Sequence, residues 1–183
     1  MAKKEYSKAQ LKRRGNMVRI ASMALLIALQ VVLSRFLSIN LQFLKIGFSF
    51  VPLMFAGYIY GASGGVVVAL ISDVIGALLF PSGPFFPGFT VTAMLSGLIY
   101  GTALGGKCTT VKLALSVVIE QIVCGLLLNT LWLSFLYHSS FRALLATRVW
   151  QIIVMIFVEF VFAEILFVRL KFTARLKKQL LRI

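Results

Sequence analysis

The chain has 183 residues, 60% of them hydrophobic, and a formal net charge of +14 from 19 basic and five acidic side chains. A soluble domain of this size is about 45–50% apolar, so one water-soluble core is excluded and a membrane protein is expected. The charge alone would suit nucleic acid, but the basic residues crowd at the chain ends, where they report membrane topology, and no nucleic-acid partner is expected.

The first 17 residues are basic and polar, and an apolar run follows at 18–37. No A-x-A-like site ends that run, so it reads as a first membrane helix rather than a signal peptide. A second apolar run covers 46–60, with Pro52 near its start, where proline is tolerated. The stretch 61–65 (Gly-Ala-Ser-Gly-Gly) reads as a tight turn. The third run, 66–80, has Asp73 at its centre, and 81–88 holds three prolines in eight residues and cannot be regular helix. Further apolar runs at 89–104, 113–137 and 148–168 are separated by polar loops at 105–112 and 138–147.

These six spans predict an all-α membrane protein: a single six-helix domain over 18–170, between a basic segment 1–17 and a basic tail 171–183. The second and third spans are short for a full crossing, which needs about 20 residues, so a cavity or local bilayer thinning is expected there. Fifteen of the 19 basic residues are the seven up to Arg19, the two of the 105–112 loop and the six from Arg169 onward. The positive-inside rule then places both termini in the cytoplasm and the Pro-rich loop outside, in a multi-pass protein of the cell membrane. Basic ends of this kind also suit the anionic surface of the lipid bilayer.

The chain has no GxxxxGK[ST], HExxH or GxSxG, so no ATP site, zinc protease site or serine nucleophile is recognisable. Two cysteines and one histidine make no metal framework. No catalytic residue, metal or cofactor is expected. Ala21, Ala24 and Ala28 lie on one stripe of the first span, where small residues admit a second helix, either within this bundle or from a separate membrane subunit. Gly97, Gly101 and Gly105 form overlapping GxxxG steps, and Gly57 and Gly61 another, with intramolecular packing as the default reading.

Asp73 stands out, because a carboxylate at mid-membrane by default marks a functional site. Glu120, Glu159 and Glu164 also lie in apolar runs, at different depths and with no evident pairing; Glu164 falls near Arg169. On the outer face the sequence gathers cations (Arg35, Lys45, Arg142, Arg148), rings (among them Phe48, Phe85, Phe86 and Trp132) and neutral hydrogen-bonders (Thr90, Asn129, Gln151). Interfacial rings are often only anchors, but Phe85 and Phe86 are pinned by Pro84 and Pro87, and a rigid loop loses little entropy on closing over a ligand. This chemistry fits a flat, hydrogen-bonding, anionic ligand.

The segments Arg35-Phe36-Leu37-Ser38-Ile39, Leu44-Lys45-Ile46-Gly47-Phe48-Ser49-Phe50-Val51-Pro52, Asp73-Val74-Ile75-Gly76 with Leu79-Phe80-Pro81, and Phe86-Pro87-Gly88-Phe89-Thr90 resemble the folate-specific substrate-binding (S) components of energy-coupling factor (ECF) vitamin transporters. The resemblance implies a six-helix bundle that captures folate from outside. It also implies partners: a membrane coupling subunit, contacted by an AxxxA-type motif that Ala24 and Ala28 match, and two ATP-binding cassette subunits that hydrolyse ATP. Folate fits the outer-face chemistry, with its pterin on Asp73, its glutamate on Arg or Lys, and its rings against Phe86 or Trp132. The candidate substrate-binding set is therefore Arg35, Phe48, Asp73, Phe85, Phe86, Pro87, Thr90, Asn129, Trp132, Arg148 and Gln151. An S component for riboflavin, thiamine or a related heterocycle, a small membrane enzyme and an assembly subunit are the alternatives.

Overall fold

The computed structural model describes residues 2–40, 45–81, 83–106 and 108–169. The tail 171–183 and Lys107 lie outside the described residues, as do the side chains of Lys45 and Arg169.

Helix α1 (Ala2–Arg35) merges the basic segment and the first span into one helix. Lys, Arg, Gln, Leu and Ala are good helix formers, and no proline interrupts them. A short antiparallel hairpin follows, β1 (Ser38–Asn40) pairing with β2 (Lys45–Gly47) in the register Ser38 to Gly47. The apolar pattern puts Ile46 and Gly47 in a helix; the hairpin takes them instead. A Cβ on Gly47 would lie 2.6 Å from the Ser38 Cβ, so the pairing requires glycine there.

Helix α2 (Phe50–Leu79) corrects a second expectation. The 61–65 stretch is not a loop. The break is confined to Gly61, at φ 70° and ψ −162°, a backbone conformation open to glycine. The helix resumes at once, because Gly64 and Gly65 serve close packing rather than turning. A Cβ on Gly65 would lie 2.3 Å from the Gly97 carbonyl oxygen, and one on Gly57 would lie 2.8 Å from the Gly101 nitrogen. The GxxxG glycines thus bring α2 against α3 within one molecule.

Helix α3 (Pro87–Leu104) starts on a proline at its first turn, where the missing N–H removes no bond. Helix α4 (Thr110–Glu120), capped by Thr109, passes into a π-helical stretch (Gln121–Leu128) and then α5 (Asn129–Tyr137), which ends at the left-handed His138. Helix α6 (Phe141–Ala163) begins seven residues before the expected span and closes with a π-helical turn (Glu164–Arg169). Most of the residues between Phe141 and Arg148 favour helix, and that propensity outweighs the Arg142 charge that suggested a loop.

Among the described residues four helical segments are long and apolar enough to cross a membrane: Arg13–Arg35, Phe50–Leu79, Thr110–Tyr137 and Phe141–Phe167. The fold is that of an all-helical membrane protein. Its apolar core gathers Tyr58, Leu104, Leu113, Val117, Ala163 and Phe167 at one end of the bundle. At the other end the helices enclose a cavity. Helix α1 is peripheral and leaves Ala21, Ala24 and Ala28 exposed.

Candidate ligand-binding site

The cavity holds about 400 Å³, within the range of about 300–1,000 Å³ typical of small-molecule sites. Helical periodicity builds its walls. Helix α6 contributes Arg148, Gln151, Ile152, Met155 and Glu159, and α3 contributes Phe89, Thr92, Ala93, Ser96 and Tyr100. Both sets follow the spacing of a single helix face. The third wall carries Gln121, Gly125, Asn129, Leu133 and Tyr137, each four residues apart. In a regular α-helix that row would drift by about 40° per step. The wider turns of the π-helical stretch offset the drift where Gln121 and Gly125 line the site.

At one end, termed the mouth, charges of both signs meet under the Pro-rich loop. Pro81, Pro84, Phe85 and Phe86 line the cavity there. The Thr90 hydroxyl donates to the Asp73 carboxylate at 2.8 Å. The Arg35 guanidinium lies across Gly76, one turn beyond Asp73; a Cβ on Gly76 would be 2.8 Å from Arg35 Nε. Arg148 is only 6% exposed, yet its Nε and Nη1 have no hydrogen-bond partner. A buried guanidinium in that state pays desolvation with little return, and it lines the cavity. Phe86 packs against Trp132, ring centroids 5.5 Å apart, and Trp132 Nε1 donates to Thr92 Oγ1 at 2.9 Å.

At the other end, the floor, the polar groups are acidic. Tyr100 donates its hydroxyl to Glu159 Oε2 at 3.0 Å, and Gln121 Nε2 donates to Glu159 Oε1 at 2.7 Å. Ser96 Oγ donates to Glu120 Oε1 at 2.8 Å, and the Tyr100 hydroxyl also lies against Glu120. Mouth and floor are well separated. Thr90 to Tyr100 on α3 is a rise of about 15 Å, and Arg148 to Glu159 on α6 about 16 Å.

Of the sequence-predicted residues, Arg35, Asp73, Phe85, Phe86, Asn129, Arg148 and Gln151 line the cavity together. Thr90 and Trp132 stand behind the wall and hold Asp73 and Thr92. Pro87 is exposed and starts α3. Phe48 lies outside the lining, in ring contact with Phe50 and Phe162. The expectation that the buried carboxylates form no pair is corrected: Glu120 and Glu159 converge on Tyr100. The signal was available on α6, where Glu159 is on the Arg148 face at i+11. On α4 it was hidden, since the π-helical stretch shifts the phase between Glu120 and Asn129. Glu164 accepts from Thr110 at 3.2 Å, away from the cavity. Among the described residues no three His, Cys, Asp or Glu side chains converge as metal ligands.

Residues 18–170 match the family described as "ECF transporter, substrate-specific component". The chain is similar to the "Folate transporter FolT" of Clostridium novyi (strain NT), 39% identical over 127 residues, covering 69% of this chain and 74% of that one. It is similar also to the "Folate transporter FolT" of Leuconostoc mesenteroides subsp. mesenteroides, 36% identical over 140 residues, covering 73% and 75%. Among solved structures it resembles "Crystal structure of FolT bound with folic acid", with a TM-score of 0.78 and 34% identity, over 81% of this chain and 91% of that one.

Proposed function

The chain belongs to the substrate-specific components of ECF transporters, and from that premise we propose that it is the folate-capturing subunit of such an importer. It is a multi-pass membrane protein that binds and delivers; it is not an enzyme. The observation that carries the ligand reading is Arg148, a buried cation lining the cavity whose Nε and Nη1 have no hydrogen-bond partner. Folate supplies that anion on its glutamate, donors on its pterin and two flat ring systems. The curated relatives carry folate in their names, which disfavours riboflavin or thiamine.

The substrate contacts we assign are Arg35, Asp73, Asn129, Arg148 and Gln151, with Phe85 and Phe86 closing over the ligand. Thr90, Trp132 and Pro87 position this set, and Phe48 backs the hairpin beside it. We read α2 as two spans, 50–60 and 62–79, divided at Gly61. That gives six crossings with both termini cytoplasmic, in keeping with the basic ends. The partners are a membrane coupling subunit and two ATP-binding cassette subunits. The exposed Ala24 and Ala28 on α1 support docking there, since small residues allow close helix approach.

Capture of labelled folate in proteoliposomes tests the assignment. The chain alone binds folate without accumulating it, and accumulation needs the coupling and ATP-binding subunits with ATP. Ala24→Leu with Ala28→Leu abolishes accumulation and leaves binding intact. Accumulation by the chain alone, or chemical conversion of the folate, would contradict the reading.

A further inference from the structure

Helix α1 lines one side of the cavity with Gln30, Ser34 and Arg35. Gln30 is the only polar residue between Ser22 and Ser34. An amide facing lipid would be costly, and this one is turned to the cavity while Ala28, Leu29 and Val32 face outward. Its Oε1 is shut off from solvent and, among the described residues, accepts no hydrogen bond. The hydroxyls of Ser34 and Ser72, which also line the cavity, are committed elsewhere. Ser34 Oγ donates to the Val31 carbonyl, and Ser72 Oγ to the Val68 and Ala69 carbonyls. Gln30 stands about 7.5 Å inward of Arg35 along α1, halfway to a floor about 15 Å from the mouth. The lining at about that depth on α3 and α6 is apolar, with Ala93 and Ile152 about 5 and 6 Å inward of Thr90 and Arg148.

We infer that Gln30 is a specificity-determining residue of this site, its Oε1 accepting the N–H of a secondary aromatic amine at the middle of the ligand. This rests on the folate reading and deepens it. Folate's two ring systems are joined by a methylene and one N–H. That bridge lies near the middle of the molecule, so an acceptor halfway down the cavity meets it whichever end lies at the mouth. The bridging nitrogen is conjugated with the benzoyl ring, so it donates well and accepts poorly, and an amide oxygen is the partner it needs. A buried acceptor left without a donor carries its full desolvation penalty, so a ligand with no proton on that nitrogen is disfavoured. The site therefore selects folates with an unsubstituted bridging nitrogen over those that carry a methyl or formyl group there.

Equilibrium titration of the full chain with two ligands tests this. One is folic acid, and the other is the analogue in which CH2 replaces the bridging N–H and nearly keeps the shape. The wild type binds folic acid about tenfold more tightly than the analogue, the scale of one buried acceptor left unmatched. In Gln30→Leu folic acid binds more weakly and the preference between the two ligands disappears. A residue that only supported the fold would weaken both ligands alike and leave the preference in place. Equal affinities in the wild type, or an unchanged preference in Gln30→Leu, overturns the inference. The wild-type comparison needs no substitution, so it decides the matter even where the variant fails to fold. A folded wild type that binds neither ligand contradicts the folate reading itself, a distinguishable result.

Discussion

The two ends of the bundle solve the same problem in opposite ways. Around Leu104, Leu113, Val117 and Ala163, all fully buried, the helices close on apolar side chains. Along the seam toward the mouth α2 and α3 touch backbone to backbone, at Gly65 and Gly97. Around Arg35, Asp73, Arg148 and Glu159 the same helices stand apart and keep polar groups facing a cavity. In a membrane, lipid tails are as apolar as leucine and hydrophobic burial does little to hold helices together. Close glycine packing therefore supplies stability at one end, and that stability lets the other end retain unmatched charge for a ligand.

Substitutions separate these two jobs. The largest effect is expected from Gly65→Val, whose Cβ would meet the Gly97 carbonyl oxygen at 2.3 Å. Backbone cannot yield there as a side chain can, so the helices must part. A loss of about 3 kcal/mol would show as a large fall in melting temperature and loss of a monodisperse peak. Arg148→Met acts on the other end. Folate affinity falls about 100-fold, or about 2.7 kcal/mol, while the melting temperature of the empty protein holds or rises, because an unmatched buried cation is gone. A simultaneous fall in both would mean that Arg148 is structural.

Gly76→Ala sharpens the comparison, since its Cβ would meet the end of a flexible side chain, Arg35 Nε at 2.8 Å. Arg35 moves aside, so affinity drops about tenfold, about 1.4 kcal/mol, with little change in melting temperature. Trp132→Phe is the smallest. It removes one hydrogen bond, to Thr92, and lowers stability by about 1 kcal/mol, read by thermal unfolding without ligand.

Membrane character was legible from composition, and most helix limits from proline, glycine and charge. The 61–65 stretch misled because glycines that allow close approach look the same in sequence as glycines that turn the chain; among the described glycines only Gly61 has positive φ. The β1–β2 hairpin was invisible, its strands being three residues each and set against the apolar spans around them. At the site, Asp73 stood out because a charge within an apolar run is costly unless a cavity, a ligand or a partner receives it, and Arg35 and Arg148 because they are cations at the outer ends of their runs. The Glu120–Tyr100–Glu159 convergence was not, for it depends on which faces of α3, α4 and α6 meet. The phase of α4 against α5 is set by a π-helical stretch that hydropathy does not encode.

The central claim is that the open end of this bundle is a folate receptacle complete in one chain. Equilibrium titration of the purified chain alone, without coupling or ATP-binding subunits, against folic acid, riboflavin and thiamine tests it directly. The account predicts one saturable folate site per chain, with riboflavin and thiamine failing to compete. Absence of folate binding by the folded chain, or tighter binding of either other vitamin, would contradict it.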